Sequence, residues 1–319
     1  MSLAQRLSSI NSQFLYLALI VVTTIFLFPQ IKIPNKPDQA AIDLYVAVSQ
    51  IPADKPLLIQ SDWTNSSRGE SSGQFEALMR ILMRRGQKFV LYSVGDPQAP
   101  QVARNVIAII NKERVDAGQQ PYLPLRDYVD VGFLPNAEGV GQAMKANIRR
   151  AFGDKTNRGA DGQERTIWST PWLAQSKSVK DFGMLINITA SSTIDVLIER
   201  LGGEVPLGLL CTGVIGPQMI PFYNGKQLVG LSIGLKGVYD LEWMMEHGVR
   251  GAQTREVAGP DEVVSANHPD IKIPKLEGKN LDRGSKYYLS LHAALALMII
   301  CVILGNLTLI GARLKGRKA

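Results

Sequence analysis

Cysteine and histidine are scarce. The 319-residue chain holds two cysteines and three histidines, too few for a disulfide scaffold or a Cys/His metal cage. No CxxC, HExxH, EF-hand or GxxxxGK[ST] spacing occurs, and the V-G-D-P turn at Gly95 lacks the GxGxxG pattern. These absences disfavour the common zinc, calcium, ATP and NAD sites, so neither a metal nor a cofactor is expected. Carboxylates are missing from both ends: none precedes Asp38 and none follows Asp282. The formal charge of +7 therefore comes from the ends, since residues 38–282 carry 26 Lys/Arg against 28 Asp/Glu. A nucleic-acid-binding body concentrates positive charge on itself, so nucleic acid is not an expected partner. A hydrophobic content of 45% excludes wholesale disorder.

Two long uncharged runs stand out. Phe14–Phe28 (FLYLALIVVTTIFLF) is short for a span, and its flanks extend the predicted transmembrane helix over 14–33, after a tail of 1–13. FPQIKIP offers no small-x-small cleavage site, which favours a signal anchor over a cleaved signal peptide. The second predicted span covers 287–312. Tyr287 and Tyr288 suit one interface, and Arg313, Lys315, Arg317 and Lys318, in a basic tail of 313–319, anchor the other. His292 and Asn306 are polar groups in or near this span, suited to function or to a helix–helix hydrogen bond. Two spans put both termini on one side. The basic tail places them in the cytoplasm and the main body outside it, although Lys32, Lys36, Lys279, Arg283 and Lys286 crowd the body side. The lipid bilayer is thus the first expected partner.

Between the spans, strand and helix signals alternate, which predicts a single α/β domain over 38–282. Asp38–Gln50 reads as a short helix with Asp38 as a candidate cap. Predicted strands are Leu57–Ser61, Lys88–Val94, Tyr128–Phe133, Gly183–Ala190 and Pro206–Thr212. Predicted helices are Ser71–Gly86, Ala99–Ala117, Glu138–Phe152 and Ser192–Leu201, with capping-box spacing at Ser71/Gln74 and Ser192/Asp195. The result is a Rossmann-like, wound, mostly parallel five-stranded sheet flanked by helices, with one transmembrane helix at each end. Residues 153–182 break the rhythm as an irregular insertion. Its Trp168 and Trp172 suit a lid, a partner contact, a membrane-surface contact, or packing back on the domain. Gly230, Gly234 and Gly237 stand at helical spacing, which suits close packing on the sheet or a self-association face. Val238–His247 continues as an amphipathic helix.

Ligands of an open parallel sheet bind outside the carboxyl ends of its strands. That rule gathers Asp62, Asn65, Arg68 and Glu70 after the first strand, Gly95 and Asp96 after the second, Thr189, Ser191, Ser192 and Thr193 after the fourth, and Cys211, Thr212 and Gly213 after the fifth. The ligand-binding candidates are Asp62, Asn65, Arg68, Glu70, Asp96, Thr189, Ser191, Ser192, Thr212 and Gly213. Plainer roles stand beside them: Ser71, Ser192 and Thr193 as caps, Asp96-Pro97 as a turn, Asp62 and Glu70 as solvated carboxylates. The catalytic candidates are Cys211, Ser192, Asp62 and Glu70. A thiol nucleophile needs a base, and no pairing of Cys211 with His247 or His268 is visible in the sequence.

The stretches Leu57–Glu70, YVDVGFLPNAEG (128–139) and CTGVIGPQMIPFYNGKQLVGLSIGLKG (211–237) resemble an uncharacterised family of prokaryotic membrane-anchored Rossmann-like α/β proteins. The resemblance covers most of the region between the apolar runs. It implies terminal membrane helices around a similar body, and it assigns no activity. The expected function is a membrane-tethered, non-enzymatic module. Its strand edge would contact a partner protein in a membrane complex, its own copies as a homo-oligomer, or a small ligand. The alternative is a membrane-anchored hydrolase using Cys211 or Ser191/Ser192 with Asp62/Glu70.

Overall fold

The computed structural model describes residues 11–28, 34–192, 194–254, 259–278, 280 and 282–316. The chain divides into two compact units, one formed by its two ends and one by Asn35–Leu281.

The terminal unit contains helix α1 (Ser12–Ile25) and the long helix α11 (Arg283–Gly316). They pack on each other, and Ser290 Oγ donates to the Thr23 carbonyl at 3.0 Å. Among the described residues one helix is long and apolar enough to cross a membrane, Arg283–Leu307. α1 has 14 residues, about 21 Å at 1.5 Å per residue, less than a hydrocarbon core. The expected extension of the first span through 29–33 lies outside the described residues. His292 Nδ1 lies 2.9 Å from the Tyr288 carbonyl of its own helix, so its contact is local rather than across helices.

The body begins with α2 (Gln39–Ser49), β1 (Leu57–Asp62), α3 (Arg68–Arg84), β2 (Phe89–Ser93), α4 (Ala99–Asp116) and β3 (Tyr128–Phe133). α5 (Ala137–Ala146) and α6 (Ile148–Phe152) follow, then β4 (Thr156–Arg158), β5 (Glu164–Thr166) and α7 (Pro171–Ala174). The second half holds β6 (Met184–Thr189), α8 (Ile194–Leu201), β7 (Leu207–Cys211), α9 (Gly216–Asn224), β8 (Gly230–Ile233) and α10 (Gly234–His247). Short strands β9 (Val249–Gly251), β10 (Val263–Ser265) and β11 (Lys272–Ile273) form a separate small sheet.

The main sheet is parallel throughout and has six strands, ordered β3-β2-β1-β6-β7-β8. Its strands read as near-continuous apolar runs because helices cover both faces. Leu58, Val90, Val129, Leu185 and Leu209 pack with Met144, Ile148, Leu197 and Ile198 in the core on one face. α2, α3, α4 and α10 cover the other. Counted along the sheet's own strands, the order is 3-2-1-4-5-6, the doubly wound order of dinucleotide-type sheets. The winding reverses between β1 and β6.

The sixth strand corrects the five-stranded expectation. β8 has four residues and opens on a glycine, which hid its apolar pattern behind an apparent helical glycine stripe. The glycines serve packing. A β-carbon at Gly230 would overlap the backbone nitrogen of Leu44 in α2, and one at Gly237 would overlap Ser232. Gly234 turns from β8 into α10 at φ +56°.

Three smaller corrections have local causes. The helix expected over 138–152 breaks at Asn147, which is extended and caps α6 with its side chain. Ser71 and Gln74 do not cap α3; the helix starts at Arg68, and both residues are buried within it. Asp38 stands at the cap position of α2 without a side-chain cap bond. Its amide donates instead to Asp240 at 3.1 Å. The stretch 153–182 contains the β4–β5 hairpin and helical turns. Trp168 is buried and donates to the Gly153 carbonyl at 2.8 Å, and Trp172 donates to the Arg126 carbonyl at 3.1 Å, so both pack back on the domain.

Both ends of the body are fastened to α10. Asp240, wholly buried, accepts from Asn35 at 2.8 Å and from Lys236, whose ammonium also reaches the Lys36 carbonyl at 3.0 Å. Burial holds the Asp240 carboxyl above its ordinary pKa, while Lys236 pulls the other way. At the far end of the helix Asn280 donates to Glu246 at 3.0 Å.

Candidate functional site

The reversal between β1 and β6 puts their carboxyl ends side by side, with Asp62 and Thr189 in register and Thr189 in register with Cys211. Three of the residues selected from sequence thus share one row across three strands. They do not share one role.

Asp62 is buried and fully engaged. Its Oδ1 accepts from Ser93 Oγ, Val94 N and Gly95 N, each at 2.9 Å. Its Oδ2 accepts from Asn187 Nδ2 at 3.2 Å and from Gln60 Nε2. Tyr92 extends the network by donating to Gln60 Oε1 at 3.0 Å, and burial and then the Asp62 charge push the Tyr92 phenol up. The carboxylate therefore ties β1, β2 and β6 together at their ends. Gly95 is glycine because a β-carbon there would lie 3.0 Å from Asp62 Cβ.

Glu70 sits in the first turn of α3, where a negative charge suits the helix dipole. It reaches across the crevice, and Gly213 N donates to its Oε2 at 2.7 Å. One turn later Gln74 lies wholly buried. Its Nε2 donates to the carbonyls of Cys211 at 2.6 Å, Ser232 at 3.3 Å and Gly234 at 3.4 Å. Sequence reasoning gave Gln74 a cap role only. The signal for its true position is its four-residue spacing from Glu70, which puts both on one helix face.

Cys211 is wholly buried. Burial, reinforced by the Glu70 charge, pushes its thiol up to about 12. The two histidines of the body are engaged elsewhere. His247 stacks on Trp243 with 4.1 Å between ring centroids, and His268 Nε2 lies 3.5 Å from Asp43. A thiol held protonated and unserved by a base is a poor nucleophile at neutral pH.

The remaining candidates line the rim. Asn65, Arg68, Ser191, Ser192 and Gly213 are exposed, and Asp96 and Thr212 are half-buried. Thr189 is buried, and its Oγ1 accepts from Ser191 N at 3.0 Å, fixing the loop after β6. Asp96 accepts from Gln98 N at 2.7 Å, the turn role. Ser192 contributes its carbonyl to Asp195 N at 3.1 Å. Thr193 lies outside the described residues. Val214, beside Gly213, is 85% exposed and was not singled out from sequence.

Among the described residues no group of three or more His, Cys, Asp or Glu is placed to hold a metal. A separate cavity of about 420 Å³ lies at the ends of α3 and α4, where Arg80 pairs with Glu76 at 2.8 Å and Glu113 at 2.6 Å. Comparison of the chain with protein-family models, curated proteins and solved structures finds no match.

Proposed function

We infer that the protein is a membrane-tethered binding module whose α/β body meets a partner or ligand at the rim around the β1/β6 reversal. One observation carries this reading. The thiol and both carboxylates that hydrolysis would draw on, Cys211, Asp62 and Glu70, are consumed by the fold, which leaves the exposed Ser191 and Ser192 without either carboxylate as a base, whereas the rim also keeps Asn65, Arg68, Gly213 and Val214 exposed. Asp62 and Glu70 accept backbone amides, and Cys211 is buried and protonated. A surface of hydroxyls, an amide, one guanidinium and one isolated apolar side chain suits recognition better than bond cleavage.

The tether is α11, with α1 and its flanks as a second, signal-anchor span. The body lies outside the cytoplasm and both termini inside it. The apolar surfaces of both helices support their insertion in a bilayer: Phe14, Tyr16, Ile20, Met298, Ile299 and Val302 are all more than half exposed. The likeness to membrane-anchored prokaryotic α/β proteins agrees with it. The body contacts a membrane-complex partner or a second copy of itself.

The test compares the wild-type chain, purified in detergent with whatever remains bound, with Arg68→Glu and Ser192→Arg. Loss of one bound component or of an oligomer, at unchanged melting temperature, supports the module. Ester, peptide or phosphate hydrolysis that disappears in Cys211→Ala or Ser192→Ala would replace it with the hydrolase.

A further inference from the structure

The near-neutral charge of the body hides a strong local asymmetry. Residues 145–181 carry eight Lys/Arg against four Asp/Glu, and the rest of 38–282 carries 18 against 24. The fold gathers much of this excess in one place. Lys180 and Glu204 stand just ahead of β6 and β7, at the edge where the strands begin, opposite the crevice. Lys145 and Lys180 share the single carboxylate of Glu204, at 2.5 and 2.9 Å. Those two ammonium groups hold Glu204 below its ordinary pKa. The Lys177 carbonyl accepts from Ile148 N at 2.8 Å, which brings Lys177 beside α6. Arg149 is held by the Ala174 carbonyl at 3.1 Å and by the Trp168 ring at 4.7 Å, so its guanidinium is fixed without a carboxylate. Arg150 and Lys177 make no ion pair among the described residues. All five cations are exposed.

Helix C-termini favour cations, which accounts for the charges at the ends of α5 and α6. It does not account for Lys177 and Lys180, which belong to no helix C-terminus of that kind. The patch also lacks the feature that marks a protein interface. Among the described residues between Val115 and Val214 no large hydrophobic side chain is exposed, whereas protein–protein contacts are built around an apolar core. Charges without an apolar centre fit a diffuse anionic surface. The flanks of both apolar runs on the body side repeat the pattern, with Lys32, Lys36, Lys279, Arg283 and Lys286.

We propose that this strand-start edge, through Lys145, Arg149, Arg150, Lys177 and Lys180, docks on anionic lipid headgroups. The attraction of several Lys/Arg to such a surface is additive and acts within a Debye length. A membrane tether raises the effective concentration of the body at the bilayer surface. The docked edge is the one opposite the crevice, so the rim stays open. This inference rests on the tether but not on the rim's role in binding.

The experiment reconstitutes the full chain into nanodiscs of phosphatidylcholine alone or with added phosphatidylglycerol. Lysine acetylation is then followed by mass spectrometry. Labelling of Lys145, Lys177 and Lys180 should slow at least about threefold in the anionic discs and recover in high salt. Lys236, in the first turn of α10 at the crevice end of the sheet, should label equally in both. Arg149→Glu with Arg150→Glu, at unchanged melting temperature, should abolish the difference. Equal labelling in the two discs, or protection that ignores lipid charge, overturns the docking while leaving the tether intact. A chain that enters neither disc overturns the tether and the docking with it.

Discussion

Gln74 Nε2 donates to the Cys211 carbonyl at 2.6 Å, which fixes the helix after β1 to the ends of β7 and β8. The same amide reaches Ser232 and Gly234. One buried side chain thus ties three non-adjacent parts of the chain across the outer half of the sheet. Replacing it leaves buried carbonyls short of a donor, and each such loss costs about 1–3 kcal/mol. Gln74→Leu should therefore lower the melting temperature of the full chain in detergent by several degrees. Gln74→Glu should do the same or worse, because it places an acceptor against three carbonyl oxygens. A Gln74→Leu variant that melts like wild type would show that the clamp carries no stability.

Asp62 does on the inner half what Gln74 does on the outer. Five donors converge on its carboxylate. Removing the acceptor leaves buried donors unsatisfied, and each such group costs about 1–3 kcal/mol. Asp62→Ala should be strongly destabilising, visible as a lower denaturation midpoint. Asp62→Asn should fall between, since its amide turns a donor toward other donors. Binding at the rim should survive Asp62→Asn in whatever fraction stays folded, because the carboxylate faces inward. Loss of binding without loss of fold would return Asp62 to the site.

How much was legible follows from the physics of each signal. Five strands and most helices showed as apolar runs and 3.6-residue periods, because burial writes those patterns locally. The sixth strand did not, because Gly230 and Gly234 answer to close packing with Leu44 and to a turn rather than to strand alternation. The strand-end rule placed the candidates on one rim, and Asp62, Thr189 and Cys211 do fall in one row. What it could not show is which way each side chain is used. Asp62 and Ser191 look alike as polar loop residues. One is spent on the Ser93 hydroxyl and the backbone amides of Val94 and Gly95, 31 to 33 residues away, and such long-range bonds leave no local trace.

Gly230 gives a direct test of the packing reading. A methyl group there meets the backbone nitrogen and Cα of Leu44, not a side chain that can swing away. Overpacking of this kind costs about 1–3 kcal/mol or more. Gly230→Ala should be clearly destabilising by thermal melting. Gly69→Ala, with nothing near its would-be β-carbon and a place in the first turns of α3, should be neutral or slightly stabilising. Equal melting temperatures for the two variants would mean that α2 does not sit against β8 as described.

Cys211 ties stability to pH. Its ordinary value of 9.0 is raised to about 12 in the fold, first by burial and then by Glu70. The folded state therefore holds the proton more tightly than the unfolded chain. The corresponding stability is complete below 9.0 and is lost as pH rises from there toward about 12. Cys211→Ala should flatten the alkaline fall in melting temperature relative to wild type. Thiol labelling with iodoacetamide at pH 8 should be at least about a hundredfold slower at Cys211 in the folded chain than after unfolding. Removing the Glu70 charge with Glu70→Gln should bring the thiol down only partway, since burial is the larger cause. Rapid labelling of native Cys211 at neutral pH would show an accessible thiolate, and the hydrolase would then be the better account of the crevice.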